Sequence, residues 1–217
     1  MISRQHEVVF VHIPKTGGQS IEGVFLKALG IAWKDRDQLV MGPNDDPARG
    51  PSKLAHLYAR EYVEMGHISA GDYQRFTSFA VVRHPFDRIV SEYRYRITAR
   101  MKKGKPVPDD LYDGFDAFIR KEARNSFGDL ARHMARQVDY VTDASGQVIV
   151  DHVFHLERLD AEIGPLLKRV FGRDMVLPRS NASKAAEGIT VAGMRSDQKA
   201  YLYNRYRADF EMFGYEA

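Results

Sequence analysis

Two short runs of apolar residues dominate the hydrophobic pattern of the chain. Residues 8–13, Val-Val-Phe-Val-His-Ile, form a β-branched, nearly all-apolar run that fits a central strand buried on both faces. Residues 79–82, Phe-Ala-Val-Val, form a second run of this kind. After each run, apolar residues recur at helical spacing, over residues 21–29 and 86–97. This repeated strand–loop–helix order predicts an α/β fold with a largely parallel sheet.

The rest of the pattern is weaker and predicts further helices. They cover residues 54–65, 115–122, 129–138, 159–171 and 197–210. A hairpin is predicted over residues 140–150, around the turn sequence Asp-Ala-Ser-Gly. The sequence shows no internal repeat, so we expect a single domain over residues 1–217.

Composition narrows the class of protein. Of the 217 residues, 44% are hydrophobic and 28% are charged, which is ordinary for a folded globular chain. The sequence has no cysteine, which excludes a disulfide framework, a thiolate metal site and a cysteine nucleophile. A formal net charge of +3 is too small to indicate a polyanionic partner, so we do not expect the protein to bind nucleic acid. No segment has the ~20 apolar residues of a membrane span and the start lacks the order of a secretory signal, so we expect a cytoplasmic protein.

The loop after the first predicted strand has the composition of an anion-binding site. It consists of Lys15, Thr16, Gly17, Gly18, Gln19 and Ser20. Unpaired backbone N–H groups at a helix start attract anions, and glycine lets the backbone approach closely. The lysine and the hydroxyls add donors that suit a phosphate or a sulfate. A tight turn with a solvated lysine is the alternative. The nucleoside triphosphate loop G-x-x-x-x-G-K-[ST] does not fit, because here the lysine precedes the glycines.

Basic and polar residues also follow the second predicted strand. Arg83 stands at the strand end, and Arg88, Ser91 and Tyr95 recur along the next helix. This polar stripe predicts a clamp for a second phosphate. A solvated face of an amphipathic helix is the alternative interpretation.

Both loops resemble the nucleotide-binding motifs of sulfotransferases that use 3′-phosphoadenosine 5′-phosphosulfate (PAPS). Pro-Lys-Thr-Gly-Gly-x-Ser resembles their 5′-phosphosulfate loop, and residues 83–93 resemble their 3′-phosphate motif, R-x-P-x-x-R-x-x-S-x-Y. Residues 56–59, 154–159 and 206–215 are similar to the family's H-L-x-A, F-x-x-E-x-L and Y-x-x-D-F-x-x-F-G-Y segments, and residues 179–183 resemble its N-x-S segment. The resemblance spans nearly the whole chain and points to the branch with carbohydrate sulfotransferases of the heparan 2-O type and their bacterial relatives.

The resemblance implies a P-loop-like, three-layer fold that moves a sulfuryl group from PAPS to a hydroxyl of a glycan or a small molecule. It implies that residues 15–20 bind the 5′-phosphosulfate, and that Arg83 and Ser91 bind the 3′-phosphate. Lys15 fits the role of neutralising the negative charge that grows on the bridging oxygen of the leaving nucleotide. That nucleotide, adenosine 3′,5′-bisphosphate (PAP), would be the second product. Because a sulfuryl group carries less charge than a phosphoryl group, we expect no metal.

Sulfuryl transfer also requires a base that removes the hydroxyl proton, and the chain offers eight histidines. His56 is the first candidate because it lies in the segment similar to H-L-x-A. His67 is the second, because the pair Gly66-His67 resembles the base segment of the heparan 2-O enzymes, although it lies closer to Arg83 than that alignment expects. A neutral structural histidine is the alternative for either. His12, on the first predicted strand, is expected to pack beneath the site.

Two other functions would use the same features. A nucleotide-dependent kinase on a related scaffold would require magnesium, and a non-catalytic protein would bind the nucleotide or a sulfated glycan without turnover. The sequence names neither the acceptor nor the oligomeric state.

Overall fold

A mostly parallel sheet forms the centre of the computed structural model, which describes residues 1–123, 125–178 and 189–217. Its four strands within those residues are β1 (Ile2–Ser3), β2 (Val8–Val11), β3 (Thr77–Val82) and β4 (His152–His155), in that spatial order. β1 pairs with β2 antiparallel, whereas the β2–β3 and β3–β4 pairs are parallel. This architecture confirms the predicted α/β fold.

Helices connect the strands and cover the sheet. They are α1 (Gly18–Leu29), α2 (Glu61–Glu64), α3 (Ala70–Arg75), α4 (Pro85–Lys102), α5 (Leu111–Ile119), α6 (Asp129–Met134), α7 (Gln137–Val141), α8 (Leu159–Glu162), α9 (Gly164–Phe171) and α10 (Ser196–Phe213). Short 3-10 helices span Trp33–Leu39, Pro47–Arg49, Leu54–His56 and Leu156–Arg158. Within the described residues, no helix has the length and the apolar composition of a membrane-spanning helix.

Both faces of the central strands are buried, which explains their uninterrupted apolar sequences. Val9 and Val11 point to a core cluster that residues 57–76 and α7 complete. Val8 and Phe10 point to the opposite cluster, which α1, α8 and α9 complete. Successive side chains on a strand alternate between its faces, so one run of residues serves both clusters. The result is the expected three-layer arrangement.

A third apolar cluster holds α4 in place. Side chains of α4, α5 and α10 form it, including Phe86, Ile89, Phe115, Leu202 and Phe210. Because α4 begins three residues after β3 ends, this packing fixes the turn that carries Arg83.

The predicted helix over residues 54–65 is wrong. The chain forms the 3-10 turn Leu54–His56, becomes extended at Leu57, and regains helix only in α2. The amide of Ala59 donates to the carbonyl of Tyr140 in α7 at 2.7 Å, and this bond to a distant segment replaces a helical one. His56 therefore ends a turn instead of occupying a helix face.

Other element boundaries also differ from the prediction. Residues 137–141 form α7, so the predicted hairpin is reduced to a single antiparallel bridge between Thr142 and Val148. The pattern also missed β1, which has two residues, and β4, whose histidines break its apolar pattern. The segment 179–183, similar to N-x-S, lies outside the described residues.

Candidate active site

Lys15 and Arg83 come together at one edge of the sheet. Each follows a parallel strand, β2 or β3, and the carboxyl ends of neighbouring parallel strands lie side by side. A guanidinium nitrogen of Arg83, Nη1, donates to the carbonyl oxygen of Lys15 at 3.3 Å. The two separate sequence motifs thereby form one cationic site.

The glycine loop between β2 and α1 makes a tight turn that only particular residues allow. Lys15 and Gly17 both have positive φ angles, 71° and 81°. Gly17 is the residue that caps α1, and this left-handed conformation favours glycine. A Cβ atom at Gly18 would lie 2.2 Å from the ring of His12, so a side chain there would displace the ring. A non-glycine residue with positive φ is uncommon and frequently marks a functional site.

Two backbone N–H groups of this loop have no partner among the described residues, one on exposed Gly17 and one on fully buried Thr16. The first turn of α1 carries no acidic side chain, so its positive end is not neutralised there. The Thr16 hydroxyl donates to the carbonyl of Ile13 at 2.8 Å and supports the turn itself. Gln19 is exposed and Ser20 is half-buried on the first turn of the helix.

His12 forms the floor beneath the loop, which confirms its predicted packing role. Its ring is buried under Gly18, and Nδ1 lies 2.7 Å from Oε1 of Glu22 in α1. Burial alone would raise the pKa of Glu22, but His12 holds it below its usual value. This buried pair ties the end of β2 to α1.

The Lys15 ammonium group is partly withdrawn from water. Its Nζ lies 4.5 Å from the ring centroid of Tyr95 in α4. Burial lowers the pKa of Lys15, an effect that Glu92 offsets and that Arg83 and Arg96 reinforce. A cation with little competing hydration stabilises a nearby developing negative charge more strongly than a solvated one does.

His56 lies beside His12 and presents a basic nitrogen. Its Nδ1 is 3.2 Å from the carbonyl oxygen of His12. Because a carbonyl only accepts, Nδ1 carries the proton and Nε2 keeps its lone pair. Nε2 makes no hydrogen bond to another described residue. Burial holds the pKa of His56 well below its usual value, and the neighbouring His12 and His133 add to the effect, so the ring is neutral at pH 7.

On the side away from His12, the His56 ring contacts a buried network of polar side chains that begins at His133. The ring centroids of His56 and His133 are 5.0 Å apart, and Nδ1 of His133 lies 2.7 Å from Oε2 of Glu92. Glu92 also pairs with Arg96 at 2.6 Å, and Arg96 pairs with Asp129 at 2.7 Å. Burial would raise the pKa of Glu92, but His133 and Arg96 hold it below its usual value. The network joins α4 to α6.

Sequence patterns missed this network. Glu92 fills an unspecified position of the 3′-phosphate motif, and no motif covers His133. Within the described part of the chain, no group of three or more His, Asp or Glu side chains is placed to hold a metal ion.

The structure places His67 apart from Lys15 and Arg83. Its Nε2 bonds to the carbonyl of Arg49 at 2.7 Å, and its own carbonyl accepts a bond from the Arg4 side chain at 2.9 Å. Arg4 directly follows β1, which pairs with the amino end of β2. The glycine loop is at the carboxyl end of that strand, so His67 lies toward the opposite edge of the sheet.

The predicted polar stripe on α4 is wrong for Arg88. This side chain is 0% exposed and donates to the carbonyls of His133 and Ala135 at 3.0 and 2.7 Å. Arg88 therefore stabilises the α6–α7 connection instead of facing a ligand. Ser91, one turn further along α4, is half-buried, and Tyr95 is exposed and covers Lys15.

Comparisons with known proteins agree with this geometry. A model of the sulfotransferase family matches residues 1–216, which include both strand-end motifs. No curated protein and no solved structure matched the chain. Because the match covers almost the whole sequence, the chain belongs to the sulfotransferase family, which supports sulfuryl transfer as its chemistry.

Proposed function

We propose that the protein transfers the sulfuryl group of PAPS to a hydroxyl of a glycan or small-molecule acceptor. The contact between Lys15 and Arg83 carries this proposal, because it joins two anion-binding groups from separate motifs. His56 bonds to the backbone carbonyl of His12, which directly follows β2 and precedes the glycine loop. The site thus combines cations with a neutral base.

Two adjacent anion sites suit a donor with an anionic group at each end. The amides of Thr16 and Gly17 would bind the 5′-phosphosulfate at the start of α1. Arg83 and Ser91, at and after the end of β3, would bind the 3′-phosphate through charge-assisted and neutral hydrogen bonds. PAPS supplies a sulfuryl group that is activated by its link to phosphate.

The residues of the site have complementary roles in the transfer. The acceptor oxygen forms a bond to sulfur while the bond between sulfur and the bridging phosphate oxygen breaks, and the sulfuryl group moves in line between them. Nε2 of His56 takes the proton of the acceptor hydroxyl. Nζ of Lys15 stabilises the negative charge that grows on the bridging oxygen, and PAP leaves.

A groove beside α4 is our candidate for the acceptor path. It has a volume of about 750 Å³, and its basic lining residues are Arg96, Arg100, Lys103, Lys105 and Lys121. No carboxylate is among its described lining residues. The Arg96 guanidinium lies 5.8 Å from the centroid of the Tyr95 ring, which also contacts Lys15. Because Arg96 is already paired with Glu92 and Asp129, it is the other basic side chains of the groove that favour an acceptor with an anionic group beside its hydroxyl.

Arg83→Ala tests the donor site. We expect the affinity for PAP to fall about 10- to 150-fold, because a hydrogen bond to a charged group contributes about 1.5–3 kcal/mol. The affinity for adenosine 5′-monophosphate, which lacks the 3′-phosphate, should be nearly unchanged. Calorimetric titration measures both. Arg207→Ala, which removes an exposed arginine of α10, is the matched control. Equal PAP affinity in the Arg83 variant and the wild type would contradict the assignment.

A further inference from the structure

The turn after β3 is held by a side chain from another element. The Arg83 amide donates to Oε1 of Gln137 at 2.9 Å, and Nε2 of Gln137 donates to the Arg83 carbonyl at 2.8 Å. One buried side-chain amide thus satisfies both backbone polar groups of Arg83. Because the two bonds share one planar group, they fix the direction in which the Arg83 side chain leaves the backbone.

Gln137 is held in turn by Asp209. The amides of Gln137 and Val138, at the start of α7, donate to the two carboxylate oxygens of Asp209 at 3.0 and 2.9 Å. Asp209 lies in α10 and is 0% exposed. A buried carboxylate is costly unless its oxygens are paired, and hydrogen bonds to a charged acceptor are strong. These two hydrogen bonds therefore fix the start of α7 against α10.

The residue after Arg83 is held in the same way. The His84 amide donates to Oε1 of Glu157 at 2.8 Å, and the Tyr215 hydroxyl donates to Oε2 of the same carboxylate at 3.0 Å. Glu157 follows β4, and Tyr215 follows α10. The F-x-x-E-x-L and Y-x-x-D-F-x-x-F-G-Y segments thus meet at the turn that carries Arg83.

Few direct polar contacts hold the Arg83 side chain itself, although it is half-buried. Among the described residues, its one hydrogen bond is the 3.3 Å contact with the carbonyl of Lys15, and it forms no ion pair. The direction of the guanidinium therefore depends on how its backbone is held. We propose that Gln137 and Asp209 are positioning residues that aim Arg83 at the 3′-phosphate of the nucleotide. This inference rests on the proposed function of Arg83.

Gln137→Met tests the inference by removing both bonds to Arg83 at similar side-chain volume. We expect the affinity for PAP to fall about tenfold, and the affinity for adenosine 5′-monophosphate to stay within about twofold of the wild type. Calorimetric titration gives both affinities, and denaturant unfolding gives the stability. If Gln137→Met does not fold, Asp209→Asn is measured instead. An asparagine can accept only one of the two bonds that the amides of Gln137 and Val138 donate to Asp209. We expect the same selective loss of PAP affinity from this variant.

Gln198→Met is the matched control. Gln198 is also fully buried, and its amide bonds to the backbone of Arg195 and of Tyr112 at 3.1 and 2.9 Å. It lies ~16 Å along α10 from Asp209, at 1.5 Å per residue. Its loss should lower stability without changing the preference for PAP over the monophosphate.

A double-mutant cycle separates positioning from a general structural role. In an Arg83→Ala background, Gln137→Met should cause no further loss of PAP affinity, because the guanidinium that it positions is absent. Equal losses for PAP and the monophosphate, or a loss that persists in the Arg83→Ala background, would overturn the inference.

The cycle also keeps this inference distinct from the proposed function. If the wild type does not prefer PAP over the monophosphate, or if Arg83→Ala leaves that preference intact, the proposed 3′-phosphate site fails. If the preference requires Arg83 but survives Gln137→Met and Asp209→Asn, only the positioning role fails.

Discussion

Replacing His56 with alanine should lower kcat by about 10²–10⁴-fold, the usual contribution of a general base. The expected loss follows from the geometry: the bond from Nδ1 to the His12 carbonyl leaves Nε2 free to accept the acceptor proton. PAP affinity should remain close to that of the wild type, because His56 has no part in the proposed nucleotide contacts. Transfer of radiolabelled sulfate from PAPS to a panel of hydroxyl acceptors measures the rate.

His67→Ala is the matched control for this change. His67 is bonded to Arg49 and Arg4 toward the other edge of the sheet, so its removal should leave kcat near the wild-type value. If His67→Ala lost the rate and His56→Ala kept it, the base would be His67, in the arrangement that the sequence resemblance to the heparan 2-O enzymes suggested.

The pH profile gives an independent check on the base. A base is active only when unprotonated, so the rate should fall as the pH drops through the pKa of His56. Burial and the neighbouring His12 and His133 hold that pKa well below the usual value of about 6.5, so the acidic limb should lie below pH 6.5. An acidic limb above pH 6.5, or one that persists in His56→Ala, would contradict the assignment.

Lys15→Ala should produce the second large effect, a decrease in kcat of about 10²–10³-fold, typical of removing one group that stabilises a developing oxyanion. Donor affinity should fall less than kcat does, because the charge on the bridging oxygen is largest in the transition state. Saturating PAPS in the sulfate-transfer assay isolates kcat. Lys15→Arg should not restore the full rate, since the ammonium group lies against Tyr95 and a larger, planar guanidinium cannot place its charge at the same point.

Lys27→Ala controls for the loss of a positive charge. Lys27 is exposed on the last turn of α1, at the opposite end of the helix from Lys15. Its removal should leave both kcat and PAP affinity unchanged. An unchanged kcat in Lys15→Ala at saturating donor would remove Lys15 from the chemistry.

The parts of the site that the sequence predicted are those controlled by local pattern. β2 and β3 carry uninterrupted apolar runs because both of their faces are buried, and the following loops start helices. The carboxyl ends of adjacent parallel strands meet at one edge, which brings Lys15 and Arg83 together. The sequence predicted the two strands and their loops separately, and the pairing of β2 with β3 in the structure accounts for the proximity.

The position of His56 depends instead on contacts between distant segments. Residues 54–65 have a helical pattern, but the bond from Ala59 to Tyr140 extends the chain and leaves His56 at the end of a turn. Tertiary contacts override local helix propensity in this way.

Arg88 illustrates the same limit on α4. Helical spacing placed it on a polar stripe, yet its partners are the backbone carbonyls of His133, in the last turn of α6, and of Ala135, directly after that helix. These acceptors have no signature in the sequence. The contact of His133 with His56 is hidden for the same reason.

Calorimetric titration of the wild-type protein with PAP, in the presence of a metal chelator, tests the central claim most directly. A donor site built from Lys15, Arg83 and the glycine loop predicts one PAP bound per chain without metal, and far weaker binding of adenosine triphosphate with or without magnesium. A kinase would show the reverse preference. Magnesium-dependent binding of adenosine triphosphate, together with no heat from PAP, would contradict the proposed function.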